Sequence, residues 1–262
     1  MAAIDAQGAD VVARSAEGVE AGGTSLIGAD GLWSTVRPLV MPGASLSFTG
    51  ATAWRTLLPR KDLPFPFDAP VVGLWLGPKS HLVHYPVRGG DDLNIVAVTE
   101  GGTEGQGWNQ PGAAETLLAS FTRWAKDSKS LLERGAGWRS WSLYRLTGLR
   151  QFSEGRVALL GDAAHPVLPY LAQGAALAIE DAVTLAACIG AWPTEPDRAF
   201  HRYAELRRPR ALRLQRTSRR FGGIYHASGA LRLARNFVLQ RRNEAASLQN
   251  FDWLYGHRYE QA

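Results

Sequence analysis

The feature of this sequence that most constrains its fold is a strand, a turn and a helix that follow one another in the second half of the chain. Val157–Leu160 is an unbroken apolar run, which is typical of a strand buried on both faces. The run ends on Gly161 and Asp162, and the loop that follows contains Pro166, which does not suit a helix interior. From Gly174 onward apolar residues recur at helical spacing. These residues predict part of an α/β domain.

A turn of this kind has the chemistry to hold a cofactor. Small residues such as Gly161 and Gly174 let the backbone approach a ligand closely. Free N–H groups at the start of the helix favour a negatively charged group. The carboxylate of Asp162, at the end of the strand, can accept hydrogen bonds from sugar hydroxyls. On these residues alone, an ordinary strand-to-helix turn remains the alternative.

A second transition from strand to turn lies near the beginning of the chain. Thr24–Ile27 is strand-like and runs directly into the string GADGLWSTVR. Gly31 permits close approach of the backbone, while Asp30 and Arg37 supply opposite charges. The alternative interpretation is an acidic turn followed by a helix that Ser34 caps.

Together the strings LLGDAAHPVLPYLAQGAALAIEDA and GADGLWSTVR resemble the two internal motifs of the single-component aromatic hydroxylases. These are FAD-dependent monooxygenases similar to p-hydroxybenzoate hydroxylase, and the first string looks most like the salicylate hydroxylase branch. The resemblance implies that Asp162 binds the ribityl chain of FAD and that the helix start faces the flavin. It also implies that GADGLWSTVR lies near the FAD pyrophosphate. The cofactor-binding residues implied in this way are Asp30, Gly31, Arg37, Gly161, Asp162, Ala163, Pro166, Gly174 and Ala175.

The stretch between the two motifs has a different character. Pro, Gly and Asp separate strand-like segments, which predicts a mainly antiparallel sheet. These segments are Ala51–Leu58, Val71–Leu76, Ser80–Val87, Leu93–Val98 and Trp138–Tyr144. A helix is predicted over Gly112–Glu133, and further helices close the chain, with a break or kink near Pro209.

The predicted fold is therefore a mixed α/β fold: a partial FAD-binding Rossmann-like domain, an inserted antiparallel substrate domain and C-terminal helices. The FAD-binding domain is assigned to residues 1–47, where its N-terminal βαβ unit is missing, and to residues 151–195, which carry the Gly-Asp motif and its helix. The substrate-binding domain is assigned to residues 48–150. Residues 196–262 form the C-terminal helical region.

His81 and Tyr85 are the predicted catalytic residues. Successive side chains of a strand alternate between its faces, so His81 and Tyr85 share one face while His84 points the other way. Histidine titrates nearest to neutral pH and can deprotonate a phenol. Related hydroxylases use such a His–Tyr pair, which implies a base and an orienting partner here. A packed or solvent-facing histidine is the alternative, and His165 is expected to hold its loop.

One position departs from the resemblance. Some relatives carry a side-chain donor where this chain has Pro169, and proline offers none. Any polar help to a substrate from this point must therefore come from backbone carbonyl groups.

Composition limits the remaining possibilities. A single cysteine, Cys188, excludes an internal disulfide framework, and no signal peptide or span of about 20 apolar residues is visible, so we expect a cytoplasmic protein without membrane contact. No His, Asp and Glu cluster has metal-ligand spacing, and no metal is expected. The net charge of +5 concentrates between residues 198 and 242. No nucleic-acid motif accompanies these arginines, so nucleic acid is not an expected partner. The alternatives are a solvated helix face and a surface that attracts anionic substrates and dinucleotides.

The resemblance implies an FAD-dependent monooxygenase that spends NADH or NADPH and O₂ to hydroxylate a small aromatic such as salicylate or a hydroxybenzoate. Arg55 is a candidate contact for an anionic substrate, with an ion pair as the alternative. The sequence contains no GxGxxG, which the family carries upstream of the first motif seen here. The second interpretation is therefore a truncated, catalytically incomplete fragment that does not bind FAD on its own.

Overall fold

The computed structural model describes residues 3–6, 10–63, 65–105, 107, 109–148, 151–241 and 249–258. The chain divides into two compact units. Unit one comprises Met1–Ser47, Tyr144–Arg220 and Asn243–Ala262, and unit two comprises Phe48–Leu143 and Phe221–Arg242. What each unit binds is not given by its compactness, so the assignment of the FAD-binding and substrate-binding domains stays a prediction.

The described strands all lie before residue 160, with three helices among them, and the four remaining described helices follow. The strands are β1 (Ala3–Asp5), β2 (Val11–Arg14), β3 (Glu20–Gly23), β4 (Leu26–Gly28), β5 (Ser45–Pro59), β6 (Gly73–Gly77), β7 (Ser80–Val87), β8 (Asp92–Glu100), β9 (Gln110–Pro111), β10 (Arg139–Thr147), β11 (Ser153–Glu154) and β12 (Val157–Leu159). The helices are α1 (Arg37–Val40), α2 (Ala114–Ala119), α3 (Lys126–Arg134), α4 (Gly174–Ala191), α5 (Pro196–Tyr225), α6 (Gly229–Arg241) and α7 (Asp252–Tyr255). Short 3-10 turns lie at Gly161–Ala163 and Pro169–Leu171.

Unit one contains two small sheets. Strands β1, β2 and β3 form an antiparallel sheet. Strands β11, β12 and β4 form the other, in which β12 and β4 are parallel with Val157 opposite Leu26 and Leu159 opposite Gly28. The apolar run of β12 is fully buried. Both predicted strands that end in glycine therefore lie side by side and end at the same edge, as parallel strands do.

The sequence predicted a break or a kink near Pro209; the structure has no break there, because helix α5 runs through Pro209. Proline removes one helical hydrogen bond and crowds the preceding turn. Side chains on both sides of it hold the helix in place: Arg207 pairs with Asp181 and Glu180 of α4, and Arg210 also pairs with Glu180. We attribute the continuity of the helix to these ion pairs, of which Arg207–Asp181 is fully buried.

Unit two is built on a six-stranded sheet with the strand order β6-β7-β8-β5-β10-β9. Neighbouring strands whose register is defined pair in antiparallel fashion, as predicted. One face of the sheet carries Leu82, Ile95 and Trp54, and these pack with Phe121 and Leu131 of the α2–α3 segment into a buried apolar core. This segment thus covers one face of the sheet.

The single helix predicted over Gly112–Glu133 is wrong, because the structure has two helices there, α2 and α3. After α2 the backbone tightens into turns in which Phe121 bonds to Leu118 and Trp124 bonds to Phe121. The Phe121 side chain is fully buried, and the Trp124 ring packs on it at 4.7 Å. Burial of these two aromatic rings therefore outweighs continuation of one helix.

Helix α4 is the one helix in the described part of the chain that is long and apolar enough to cross a membrane by length and composition. Its Glu180 and Asp181 side chains bind Arg207 and Arg210 of α5. Asp181 is fully buried. These ion pairs attach α4 to α5 within unit one.

Candidate functional site

Arg37 joins the two glycine turns of unit one. Its Nε donates to the carbonyl oxygen of Ala163 at 2.7 Å, and its Nη2 donates to that of Asp162 at 2.9 Å. The same Nη2 also donates to the carbonyl oxygens of Gly31 at 3.2 Å and Leu32 at 2.8 Å. Arg37 is buried, so these backbone acceptors replace the water that its guanidinium loses. The two motifs found in the sequence therefore form one structural site.

Asp30 organises the first of these turns. Its Oδ2 accepts hydrogen bonds from the backbone N–H of Thr35 at 2.7 Å and of Val36 at 3.3 Å, and from the Thr35 hydroxyl at 3.0 Å. Partial burial raises the pKa of Asp30, but hydrogen bonds from Ser34, Thr35 and Val36 outweigh burial and lower it. Gly31 follows with a φ of +76°, a backbone conformation that glycine adopts without strain. Asp30 is thus ionised and engaged with its own loop.

Helix α4 holds the second turn, Gly161–Ala163, in place through Asp181. The backbone N–H of Gly161 donates to Oδ2 of Asp181 at 3.2 Å, and the same oxygen is hydrogen bonded to Nε2 of His165. Gly161 has a φ of +60°, and a Cβ built on it would lie 3.1 Å from Cβ of Ala178. A larger residue would therefore push the turn away from α4. His165 is buried and holds its loop, as the sequence predicted.

Asp162 lies in the same turn, and its carboxylate takes no part in these hydrogen bonds. Its backbone oxygen binds Arg37, but within the described residues its side chain has no hydrogen-bond partner. Burial raises the pKa of Asp162, while the charges of His165 and Arg37 oppose the rise. A half-buried carboxylate at a strand end, without a donor of its own, is suited to accept hydrogen bonds from the hydroxyls of a ligand.

The remaining cofactor-binding residues predicted from the sequence lie around this turn. Ala163 is buried and offers its carbonyl oxygen to Arg37, while the carbonyl oxygen of Pro166 accepts from Gln215 of α5 at 2.9 Å. Gly174 is the first residue of α4, and the exposed Ala175 follows it. The first turn of α4 therefore starts with two residues that have little or no side chain.

A basic cleft of about 360 Å³ opens beside this loop in unit one. Its lining includes Pro166 and Leu168 of the loop and the exposed side chains of Arg145, Arg216 and Arg219. Like charges repel one another, so three arginines around one cleft attract an anionic ligand. The sequence placed this charge on α5 but did not indicate that part of it lines a cleft.

Unit two carries the predicted catalytic residues on one face of its sheet. Tyr85 of β7 is opposite Asn94 of β8, and His81 is opposite Val98, so these side chains share a face. Arg55 of β5 is on the same face, and its Nε donates to Oδ1 of Asn94 at 2.6 Å. His81 is buried and Tyr85 is half-buried. The face combines the imidazole and the phenol of β7, the Asn94 amide of β8 and the Arg55 guanidinium of β5 on three adjacent strands.

His84 lies on the opposite face of β7, as strand alternation predicts. Its ring packs on Phe67 at 5.0 Å and on Trp75 at 6.4 Å, at the edge of the apolar core. Burial lowers the pKa of His84. This histidine therefore packs the core and does not contribute to the polar face.

Sequence reasoning missed two sets of residues that shape these sites. It did not indicate that Asp181 of α4 would hold the glycine turn. It also did not link His226 to His81, although the two rings are hydrogen bonded. An acidic residue at an otherwise apolar helical position is a local signal that could have identified Asp181. The contact between His81 and His226 joins residues 145 positions apart and gives no local signal.

The parallel strands, the two glycine turns and the arginine between them define an α/β domain of the cofactor-binding class. The chain matches the family described as FAD binding domain over residues 5–218, and it belongs to that family. The mixed α/β fold and the FAD family that the sequence predicted are thereby confirmed.

Relatives within this family include named aromatic hydroxylases. The chain is 37% identical over 235 residues to 3-hydroxybenzoate 6-hydroxylase from Polaromonas naphthalenivorans strain CJ2, covering 89% of this chain and 58% of the relative. It is 32% identical to salicylate hydroxylase from Pseudomonas putida over 97% of this chain and 63% of that protein. A salicylate hydroxylase solved as a substrate complex superposes with a TM-score of 0.81 and 26% identity, covering 98% of this chain and 67% of the other. The chain thus spans about 58% of the length of the first of these relatives.

Proposed function

We propose that this chain works as an FAD-dependent monooxygenase that hydroxylates a small aromatic acid, with NADH or NADPH as the reductant and O₂ as the oxidant. The observation that carries the proposal is the Arg37 bridge, since it brings both flavin-type motifs together around the uncommitted carboxylate of Asp162. Membership of the FAD binding domain family supports the same cofactor. The relatives suggest a hydroxybenzoate or salicylate as the substrate class.

Unit one has groups that fit the polar parts of FAD. Asp162 would accept hydrogen bonds from ribityl hydroxyls, and the first turn of α4 at Gly174 and Ala175 would present backbone N–H groups. Asp30, Gly31 and Arg37 would keep the neighbouring turn in place. Bound FAD would supply the redox and oxygen chemistry, while these residues bind and orient it.

Unit two would hold the aromatic substrate on its polar sheet face. His81 would take the proton of the substrate hydroxyl, and Tyr85 would orient that hydroxyl. Arg55 and Asn94 lie two strands and one strand away from β7, and their donors suit a carboxylate. The face thus offers a base at one position and a cation at another, as a hydroxylated aromatic acid requires.

We propose that the basic cleft of unit one is the binding site for the nicotinamide dinucleotide. Its three exposed arginines would neutralise phosphate charge, and the cleft shares Pro166 with the loop that carries Asp162. A phosphate-binding role also accounts for the concentration of arginine on α5 without invoking nucleic acid. Which of the two dinucleotides binds, and the cytoplasmic location, remain predictions.

A second candidate function concerns the polypeptide of residues 1–262 by itself. It has no GxGxxG turn, which in dinucleotide-binding folds carries the pyrophosphate on a helix N-terminus. We therefore propose that this polypeptide alone binds FAD weakly and does not hydroxylate, although it retains the flavin-end and substrate residues. Stoichiometric flavin after purification, with hydroxylation coupled to NAD(P)H oxidation, would exclude this second candidate and support the first.

Titration of the purified protein with FAD tests the proposed role of unit one. Asp162→Asn removes the acceptor charge, so FAD affinity falls, whereas Asp10→Asn, at an exposed position in the same unit, leaves it unchanged. Because the Asp162 pKa is raised, its ionised form does not stabilise the fold at neutral pH. Asp162→Asn is therefore expected to retain thermal stability while it loses affinity. Equal FAD affinity in the two variants would contradict the proposal.

Aromatic acids are tested in parallel. Salicylate and 3-hydroxybenzoate are titrated while tryptophan fluorescence is recorded, and the products formed with FAD, NADH or NADPH are separated by chromatography. Arg55→Gln is expected to weaken binding of both acids and to leave binding of phenol unchanged, because phenol has no carboxylate.

A further inference from the structure

A continuous line of hydrogen-bonding side chains in unit two connects His81 to the surface. Nδ1 of His81 lies 2.8 Å from Nε2 of His226, and Nδ1 of His226 lies 2.8 Å from Oε1 of Glu100. His81 is 3% exposed and His226 is 7% exposed. The Glu100 side chain is 44% exposed. The line therefore begins on a buried ring and ends on a carboxylate that water reaches.

Three separate elements hold these residues in register. His81 is in β7, Glu100 ends β8, and His226 follows the last residue of α5. The backbone N–H of Lys79 donates to the carbonyl oxygen of His226 at 3.2 Å, and the backbone N–H of Glu100 donates to that of Lys79 at 2.9 Å. The turn before β7 thus fastens His226 and Glu100 close to the strand that carries His81, and the geometry of the line does not depend on the side-chain bonds alone.

The identity of the last acceptor fixes the tautomers of both rings. An ionised carboxylate only accepts, so Nδ1 of His226 must carry the proton that bonds to Glu100. In a neutral imidazole the other nitrogen is then an acceptor, so Nε2 of His226 accepts from His81. Nδ1 of His81 is therefore the protonated nitrogen, and its lone pair resides on Nε2.

We propose that His226 and Glu100 are positioning residues that make Nε2 of His81 the basic nitrogen and carry the proton it takes to the surface. The proposal rests on the proposed function, in which His81 is the base. When Nε2 binds a proton, the Nδ1–H bond of His81 breaks and that proton forms a bond to Nε2 of His226. The Nδ1 proton of His226 then moves to Glu100. No net charge stays on either ring, and the same path returns the proton in reverse.

The surroundings of the two rings favour passing a proton on to Glu100 over keeping it on His81 or His226. Burial, and next the charge of His226, lower the pKa of His81 to about 3. Burial lowers the pKa of His226 as well, although Glu100 opposes that shift. Among the described residues, the Tyr225 ring lies edge-on to His81 at 5.3 Å, Glu100 is bonded to His226, and Lys79 approaches His226 through its backbone. A proton therefore does not remain on His81 at neutral pH and needs the half-exposed carboxylate as its destination.

Nuclear magnetic resonance of protein labelled with ¹⁵N in its histidine rings tests the proposal without flavin, substrate or turnover. In the wild type at neutral pH we expect both His81 and His226 as neutral tautomers with the proton on Nδ1. Glu100→Gln removes the carboxylate charge, so the pKa of His226 is expected to fall, whereas Glu104→Gln, an exposed glutamate of the same unit, should leave it unchanged. His226→Leu removes the acceptor for Nδ1, and the tautomer of His81 is then expected to shift toward Nε2–H.

Two results would overturn the proposal: a wild-type His81 ring protonated on Nε2, or a His226 titration that Glu100→Gln does not alter. Backbone spectra identify any variant that fails to fold, and in that case the wild-type tautomers alone decide. Failure of the proposed function would look different. Substrate turnover that survives His81→Asn would remove the base from the reaction while the tautomers stayed as described.

Discussion

Arg207 of α5 places its Nε 2.7 Å from Oδ1 of Asp181 in α4, and neither side chain is more than 3% exposed. The other carboxylate oxygen of Asp181 binds His165 and the backbone N–H of Gly161. One buried carboxylate therefore connects the long helix α5 to the turn on which Asp162 lies. The position of that turn depends on an ion pair that itself has no contact with the proposed ligand site.

Asp181→Asn is expected to lower the free energy of unfolding by about 3 kcal/mol at pH 7, because Arg207 is left buried without its full counter-charge. Urea denaturation followed by circular dichroism measures the change. Asp197→Asn is the control, since Asp197 is 62% exposed and 3.9 Å from Arg156, and its loss should stay within about 0.5 kcal/mol. Similar losses in the two variants would refute the central role of Asp181.

The stability difference between wild type and Asp181→Asn should depend on pH. Burial raises the pKa of Asp181, but the bonds and charges of His165 and Arg207 outweigh it and hold that pKa below 3.8. A depressed pKa means that the carboxylate stabilises the fold above its unfolded value and that this contribution disappears as pH falls through the folded value. Denaturation curves at pH 7 and below pH 4 should therefore show a large difference that narrows with acid. A difference that grew toward low pH would contradict this assignment.

Arg37→Lys is expected to destabilise unit one by about 2 kcal/mol, because an ammonium cannot reach four carbonyl oxygens arranged for a guanidinium. Hydrogen exchange should speed up in both glycine turns together. Arg14→Lys, at an exposed ion pair of the same unit, is the control and should change neither quantity. Faster exchange confined to one turn would show that Arg37 does not join them.

At saturating FAD, His81→Asn is expected to slow hydroxylation of the aromatic acid by roughly 100-fold, at the low end for loss of a general base. His84→Leu should leave turnover unchanged, because His84 packs on the opposite face against Phe67 and Trp75. Stopped-flow and product analysis measure both variants with substrate in excess. An unaltered rate in His81→Asn would remove this residue from the reaction.

Replacing Arg216 and Arg219 together by glutamine is expected to raise KM for the nicotinamide dinucleotide several-fold while kcat stays constant. The reason is that these arginines would bind the phosphate groups equally well in the ground state and in the transition state. Added salt should reduce the difference between the variant and the wild type. Arg220→Gln is the matched control on the same helix, since Arg220 is exposed and does not line the cleft. An equal rise in KM in the control would point to net charge and not to this cleft.

Local sequence patterns were sufficient for the elements that carry their own signal. The buried run of β12, the glycine at the start of α4 and the alternation of His81 and His84 along β7 follow from short-range chemistry. The break between α2 and α3 and the passage of α5 through Pro209 depend on distant partners, namely the apolar core around Phe121 and the carboxylates of α4. The link between His81 and His226 likewise exists only after the chain has folded. Local preference therefore located the candidate site residues but not the residues that support them.

The Arg37 bridge has a consequence for how such chains diverge. All four of its acceptors are main-chain oxygens, which every amino acid supplies. The link therefore does not depend on the identity of the Leu32 and Ala163 side chains, although both are buried and any replacement must keep the path of the backbone. Substitutions in one motif would then not need a matching substitution in the other, so covariation between the two motifs would not reveal this contact. Of the residues that form it, the contact requires the side chain of Arg37 alone.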